Sequence, residues 1–194
     1  MKPLPVIKLL LIILIPIHPL AETLIGGRPS LVLEHEQARL VVDLAGGSFR
    51  EFRFVDQPLN PLNWNPPASN QTSPMVMGHF LCLDRWGPPS KAEGANGMPY
   101  HGEAGKVLWN LDDEVHQPGG MLQARMTATL PMAGLKIDRT VQLAPRSTVA
   151  LVSETVTNQN ALGRPYNMVQ HPSIAPPFLQ ESTIVDANGR KGFA

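Results

Sequence analysis

The sequence predicts an all-β protein, most simply a sandwich of mainly antiparallel sheets. One observation is a strict alternation of apolar and polar residues on both sides of a glycine-containing turn. Another is the abundance of turn formers, with 20 prolines and 16 glycines among 194 residues, which predicts many short elements joined by loops. No segment shows a convincing helical period, so helices are not expected to build the core.

The alternation is clearest in two neighbouring segments. Apolar residues occupy every second position in residues 122–130, and a similar pattern runs through residues 135–143. The four residues between them include Gly134. Period two on both sides of such a turn predicts an antiparallel hairpin with one buried face and one solvated face.

Shorter β-prone runs account for the rest of the predicted sheets. They are Leu31–Leu33, Ala38–Val42, Ser48–Val55 after the turn at Gly46–Gly47, Val149–Thr157, and the strand-like Thr183–Asp186.

The composition narrows the possible partners. Hydrophobic residues make up 43% and charged residues 16% of the chain, which is typical of a globular protein. Lys+Arg and Asp+Glu number 16 each, so no net charge favours nucleic acid or an anionic membrane surface.

Cys82 is the single cysteine, and its apolar neighbours predict a buried small side chain. The six histidines form no HxH or HxxxH pair, and we expect neither a metal nor a cofactor.

The N-terminus differs from the rest of the chain. Lys2 and Lys8 precede the apolar run Leu9–Ile15, which Pro16 ends. We interpret residues 1–25 as a secretory signal peptide or an N-terminal anchor, and residues 26–194 as the β-domain. The protein is therefore expected to be exported, to the periplasm or outside the cell, with membrane contact only through such an anchor. The alternative is a start codon assigned too early.

Two long segments lie between the predicted strands. Asp56–Pro74 is expected to be a surface excursion. Asp84–Gly105 is too rich in glycine and proline for regular structure, yet it carries aromatic, basic and acidic side chains. Long loops in compact domains are usually disordered or functional, and aromatic residues favour function.

The second segment suggests a carbohydrate site. Planar polar groups bind adjacent hydroxyls, and flat aromatic rings cover the apolar faces of sugars. Candidate side chains in or near this segment are Arg85, Trp86, Asn96, Tyr100, His101 and Trp109. The alternative for the tryptophans is that they cap the core of the sandwich.

The same residues resemble a family. His101-Gly102 followed by Trp109 resembles the His-Gly…Trp element of the aldose 1-epimerases, or galactose mutarotases, and Gly78–Arg85 is similar to the Gly-Arg segment before it. His171 stands where the family has its second histidine. Further similar segments are Ala38–Phe54, Asp138–Val141 and Thr155–Asn158, so that the resemblance covers roughly residues 31–180.

The resemblance implies a mutarotase-like β-supersandwich that binds a small-molecule aldose. It implies that His171 is the general acid that protonates the ring oxygen, and that His101 and Arg85 hold hydroxyls and the ring oxygen. A carboxylate would remove the proton of the anomeric hydroxyl, so that the ring opens and closes on its other face. If the resemblance is set aside, the first interpretation of His171 is a structural histidine at the end of a strand, with its ring hydrogen-bonded to the backbone.

Two departures from the family matter. His171 is followed by Pro-Ser-Ile-Ala-Pro-Pro-Phe rather than by the family's tyrosine-containing sequence. The family's catalytic glutamate lies near its C-terminus, whereas this sequence stops at Ala194 and Glu181 is out of order. We therefore expect an incomplete supersandwich that lacks the catalytic base.

Three functions remain open from the sequence. The first is an anomer-interconverting epimerase. The second is a non-catalytic carbohydrate-binding module that uses Arg85, Trp86 and His101. The third, ranked last, is a glycoside hydrolase or polysaccharide lyase, for which Glu93 and Glu103 are the candidate carboxylates.

Overall fold

The computed structural model describes residues 23–66, 73–116, 119–186 and 188–189. Within these residues the chain forms ten strands, one short α-helix and one 3-10 turn at Ala104–Lys106. The strands are β1 (Thr23–Ile25), β2 (Arg28–Glu34), β3 (Ala38–Asp43), β4 (Ser48–Phe54), β5 (His79–Leu83), β6 (Asn110–His116), β7 (Leu122–Leu130), β8 (Leu135–Leu143), β9 (Ala150–Asn158) and β10 (Met168–Pro172). Most of the segment interpreted as a signal peptide or anchor lies outside the described residues.

The strands form two antiparallel sheets. One has six strands in the order β1-β2-β3-β4-β5-β10, and the other has four in the order β6-β7-β8-β9. The strand nearest the described C-terminus, β10, therefore pairs with β5 at the edge of the larger sheet. The all-β class and the antiparallel arrangement are confirmed.

The predicted hairpin is β7 and β8. Leu122 pairs with Leu143 at one end and Leu130 with Leu135 at the other. The apolar positions of both strands are buried, whereas the polar positions are partly or fully exposed. The period-two pattern thus places one face of this hairpin in the core.

The core lies between the two sheets. Leu81 and Leu83 of β5 contribute to it from the larger sheet, and Met126 and Ile137 contribute from the smaller one. Because side chains alternate along a strand, Phe80 and Cys82 point to the opposite face of the larger sheet. Cys82 is buried as predicted, and burial raises the pKa of its thiol to about 11.

Loops cover that opposite face and bury Phe80. The described part of the predicted excursion is bound to the sheet rather than free of it. The amide of Gly78 donates to the carbonyl of Trp64 at 2.8 Å, and the amide of Ala175 donates to the carbonyl of Pro61 at 3.1 Å.

Two local predictions are wrong. The segment expected to lack regular structure contains helix α1 (Lys91–Ala95), because the Ser90 hydroxyl and the Glu93 carboxylate form a reciprocal capping box. Thr183–Asp186 does not form a strand: Ile184 and Val185 are exposed, and no strand is paired with them in the part of the chain that the structure describes.

No helix in the described ranges is long and apolar enough to cross a membrane.

Candidate functional site

Strands β5 and β10 place His171 over an aromatic ring. His171 is paired directly with Phe80 across the two strands, so both side chains lie on the same face of the sheet. Their rings stack with centroids 4.4 Å apart and planes 16° apart. The strand pairing thus fixes the imidazole of His171 on the face that points away from the core.

His101 reaches the same place from the loop after α1. Gly102 forms an isolated parallel bridge with Leu83, the last residue of β5. This brings the His101 ring to 5.2 Å from the His171 ring and 5.5 Å from the Phe80 ring, both measured between centroids. The structure therefore brings together two histidines that are far apart in the sequence. We call His101 and His171 the histidine pair.

The main chain determines the tautomer of His101. The amide of Gly87 donates to Nδ1 of His101 at 3.1 Å, and the amide of His101 donates to the carbonyl of Gly87 at 3.0 Å. Because Nδ1 accepts a hydrogen bond, the proton of the neutral ring resides on Nε2. Burial lowers the pKa of His101, and the neighbouring charges of His171 and Lys106 lower it further. His101 is thus suited to act as a neutral donor through Nε2.

His171 is less constrained than His101. Its Nδ1 lies 3.4 Å from the Ser173 hydroxyl, a long contact. Its Nε2 makes no hydrogen bond to any residue that the structure describes. This nitrogen of the half-buried ring can therefore form a hydrogen bond with a bound molecule.

Arg85 lies at the start of the same loop and is engaged by Glu93. Its guanidinium forms an ion pair with the Glu93 carboxylate, which also caps α1. Hydrogen bonds from Ser90 lower the pKa of Glu93, and Arg85 adds to the effect. The Nε atom of Arg85 is buried without a partner among the described residues. Among the described residues, Arg85 forms no hydrogen bond with the histidine pair, so its role in binding stays a prediction.

Three other predicted residues lie in the loop. Tyr100 is 57% exposed and packs edge-on against His101, with ring centroids 4.1 Å apart. Trp86 is 56% exposed, so its ring is open to a ligand. Asn96 ends α1, and its side-chain amide donates to the carbonyl of Ala92 at 2.8 Å. Within the described ranges, neither Trp86 nor Asn96 forms a hydrogen bond or a ring contact with the histidine pair, and their roles stay predictions.

Trp109 is a core residue, so the prediction of an aromatic platform there is wrong. Its side chain is only 3% exposed, and its indole N–H donates to the carbonyl of Ala104 at 2.9 Å. The guanidinium of Arg139 covers the ring, 4.0 Å from its centroid. With both the edge and a face occupied, the ring cannot cover a sugar.

Trp64 was not among the residues predicted for the site. Trp64 is exposed and lies in the excursion before β5, and its ring stacks on Phe80 with centroids 6.2 Å apart. A tryptophan in a proline-rich loop was the one available signal. Trp64 and Tyr100 are thus the aromatic side chains that flank the histidine pair and Phe80.

The candidate carboxylates have structural partners. Glu103 is buried and accepts hydrogen bonds from the amides of Met132 at 3.1 Å and Ala133 at 2.8 Å. Glu93 is held by Arg85 and the helix cap. In the described part of the chain, no group of three or more His, Cys, Asp or Glu side chains could hold a metal ion.

Comparison with known proteins gives weak similarities. No protein-family model matches the sequence, and no curated protein matches it significantly. The solved structure of HI1317 is 15% identical with a TM-score of 0.44, and covers 59% of this chain and 41% of its own. A candidate mutarotase, YeaD from Salmonella typhimurium, is 18% identical with a TM-score of 0.43, and covers 65% of this chain and 46% of its own. The chain thus spans less than half the length of either structure, and similarities this low carry no conclusion about activity.

Proposed function

We propose that the protein binds an aldose at the histidine pair. The observation that carries this proposal is the convergence of His101 and His171 over Phe80, with the exposed ring of Tyr100 beside them. Imidazole N–H groups hydrogen-bond sugar hydroxyls, and aromatic rings cover C–H faces. The cluster offers both kinds of contact within one sugar-sized area.

We further propose that this site provides the acid for anomer exchange of the bound sugar, as the resemblance to aldose 1-epimerases implies, and that the carboxylate base comes from a residue outside those the structure describes. A protonated His171 would give its proton to the ring oxygen, while a carboxylate base takes the proton of the anomeric hydroxyl. The bond between the anomeric carbon and the ring oxygen breaks to give the open-chain aldehyde. Rotation and reversal of the same transfers close the ring on the other face. His101 would hold a hydroxyl through Nε2.

A second candidate is non-catalytic carbohydrate binding. Among the described residues, no carboxylate forms a hydrogen bond or ion pair with either member of the histidine pair, and Glu93 and Glu103 are already engaged. A binding module needs no base.

The hydrolase alternative requires two carboxylates facing one bond. It receives no support, because the carboxylates of Glu93 and Glu103 are bound to structural partners.

Binding is tested by calorimetric titration with galactose and glucose. We expect His101→Ala to lower the affinity about tenfold, because one donor is lost and the Tyr100 contact with it. The matched control is His35→Ala, since His35 lies at the β2–β3 turn and binds the carbonyl of Gly120. Equal effects of the two variants, or no binding by the unmodified protein, would contradict the proposed site.

The two candidate functions differ in anomer exchange, which NMR measures as magnetisation transfer between α- and β-sugar. Epimerisation predicts exchange above the buffer rate in a protein that includes the carboxylate base, and its loss by about 100-fold in His171→Ala. Non-catalytic binding predicts no exchange above buffer and nearly unchanged affinity in that variant. Exchange that survives His171→Ala would exclude this residue as the acid.

A further inference from the structure

A cavity of about 320 Å³ lies on the other side of the larger sheet from the histidine pair. Residues of both sheets line it, so it is a gap between the two layers. Its apolar wall includes Phe49 and Phe52 of β4 and Val152 of β9. An apolar cavity of about 150 Å³ suffices to bind benzene, so this one has room for a bicyclic molecule.

One wall of the cavity is polar and connected to the core by hydrogen bonds. His79, Gln170 and Glu154 line it. Nε2 of His79 lies 3.0 Å from Oε1 of Gln170, whose Nε2 donates to Glu154 at 2.6 Å. The other carboxylate oxygen of Glu154 accepts from Nε of Arg139 at 2.7 Å. This arrangement joins β5 and β10 of one sheet to β9 of the other.

The polar wall is electrically neutral. The side chain of Glu154 is 5% exposed and that of Arg139 is fully buried, so their charges compensate each other inside the protein. Burial is the main cause that lowers the pKa of His79, and the charge of Arg139 lowers it further, against the opposing effects of Gln170 and Glu154. An uncharged ligand therefore fits this wall better than an ion does.

The hydrogen bonds also define which ligand group the wall accepts. The side-chain oxygen of Gln170 faces His79 because its amide nitrogen donates a hydrogen bond to Glu154. Nε2 of His79 is consequently the protonated nitrogen, and Nδ1 keeps its lone pair. Within the described residues, Nδ1 has no hydrogen-bond partner. The wall thus offers an acceptor and no free donor on this ring.

We propose that the cavity binds a small uncharged molecule with an apolar ring system and one N–H or O–H group, which donates to Nδ1 of His79. Two features carry the proposal: the size and apolar lining of the cavity, and the unused ring nitrogen of His79 in a partly exposed wall whose buried charges, Glu154 and Arg139, compensate each other. The site faces the core side of β5 and β10, whereas His171 faces the opposite side. It does not depend on the proposed sugar binding.

The test uses two probes of nearly identical shape. Indole carries an N–H donor, and benzofuran carries an oxygen acceptor in its place. We expect saturable binding of indole, with a dissociation constant below about 1 mM, and binding of benzofuran at least about tenfold weaker. Ligand-observed NMR titration measures both. No binding of either probe, or equal affinity for the two, would overturn the proposal.

Two substitutions on one strand provide a matched control. Ala150 lines the cavity, whereas its neighbour Leu151 is exposed on the other face of β9. Ala150→Trp should abolish indole binding, and Leu151→Trp should leave it unchanged. If Ala150→Trp does not fold, Val152→Phe fills the same space. Retained binding in the filled variants would place indole elsewhere and contradict the site.

The acceptor is tested separately. His79→Phe keeps an aromatic ring of similar size and removes Nδ1. The unmodified protein is expected to prefer indole over benzofuran at least about tenfold. We expect His79→Phe to bind the two probes with about equal affinity, and to bind benzofuran as tightly as the unmodified protein does. A preference that persists in His79→Phe would contradict the role given to His79. The sugar titrations are independent of these measurements, so failure of one proposal does not mimic failure of the other.

Discussion

At the scale of single residues, Gly102 controls where His101 lies. Its φ is +78°, and a Cβ at this position would overlap the carbonyl oxygen of Leu83. Glycine is therefore needed both for its conformation and for the close approach of the loop to β5.

We expect Gly102→Ala to destabilise the fold by about 2 kcal/mol or more and to weaken sugar binding, because the loop must move away from β5. Urea unfolding and calorimetric titration measure the two effects. Gly27→Ala is the matched control, since Gly27 has the same φ of +78° but open space around its Cβ position. Equal losses in both variants would mean that backbone strain alone is responsible.

The pH dependence of stability follows from two histidines. Burial is the main cause that lowers the pKa values of both His79 and His101 below 6.5 in the folded protein. As the pH falls below about 6.5, the unfolded chain takes up these protons first, so the free energy of unfolding decreases. Above that pH the two residues add no further dependence.

Urea unfolding between pH 5 and pH 8 measures this effect. The pKa values of Glu36 and Glu93 are lowered from 4.5, so these two residues affect the pH dependence of stability mainly below pH 5. The measurement stops at pH 5 to exclude their contribution. We expect His79→Gln and His101→Gln each to flatten the decrease. Stability that rises on acidification would contradict the assignment.

The sequence predicted part of this residue-level arrangement. The pairing of His101 with His171 followed from the resemblance to a family. Trp64 was missed and Trp109 was misassigned, because one sequence does not show which ring a loop folds back against a sheet and which enters the core. Only the three-dimensional packing around Phe80 and Arg139 distinguishes them.

At the scale of elements, β7 and β8 depend on a side chain outside the hairpin. Glu103 accepts hydrogen bonds from two amides of their connecting turn, those of Met132 and Ala133. A buried carboxylate with two N–H partners makes strong, charge-assisted hydrogen bonds. The loop that carries the histidine is thereby attached to the smaller sheet as well.

We expect Glu103→Gln to lower the free energy of unfolding by about 2 kcal/mol, because the amide accepts more weakly and brings a donor that must find its own partner. Chemical denaturation measures the loss. Glu181→Gln is the control, since Glu181 is exposed and lies in a turn near the C-terminus. A loss below about 0.5 kcal/mol in Glu103→Gln would show that water replaces these contacts.

Sequence patterns predicted elements unevenly. The hairpin was found because its two faces differ sharply in polarity. Helix α1 was missed because five residues are too few to show a period, although the Ser-x-x-Glu spacing of its capping box was present. Strand β10 was not predicted as a strand because its two faces meet different surroundings, with Gln170 toward Glu154 and His171 toward Phe80.

At the scale of the whole molecule, both sheets end in strands with apolar side chains exposed. Strand β9 is the outermost strand of the smaller sheet, and Leu151 is exposed there, as is Val149 just before it. Unpaired edges of this kind favour association with other chains.

We expect Leu151→Lys to reduce self-association by at least about twofold at equal protein concentration, because a charge replaces apolar surface at the edge. Static light scattering over a concentration series measures the change. Ser153→Lys, two residues along the same face, adds the same charge without removing apolar surface. Equal effects of the two substitutions would assign the change to charge alone.

The sandwich class could be predicted, but the order of strands could not. The pairing of β5 with β10 joins two segments separated in the sequence by all four strands of the smaller sheet. Such long-range pairings depend on how complete surfaces fit together, and local periodicity contains little information about them.

That pairing has a consequence for how the protein can be observed. Ring contacts join Trp64 and His101 to Phe80, and His171 completes the cluster only when β10 pairs with β5. Closing the wide loop between β5 and β10 is entropically costly. A molecule that recognises the complete cluster would consequently report completed folding. It would not bind a chain in which β10 has not yet paired with β5.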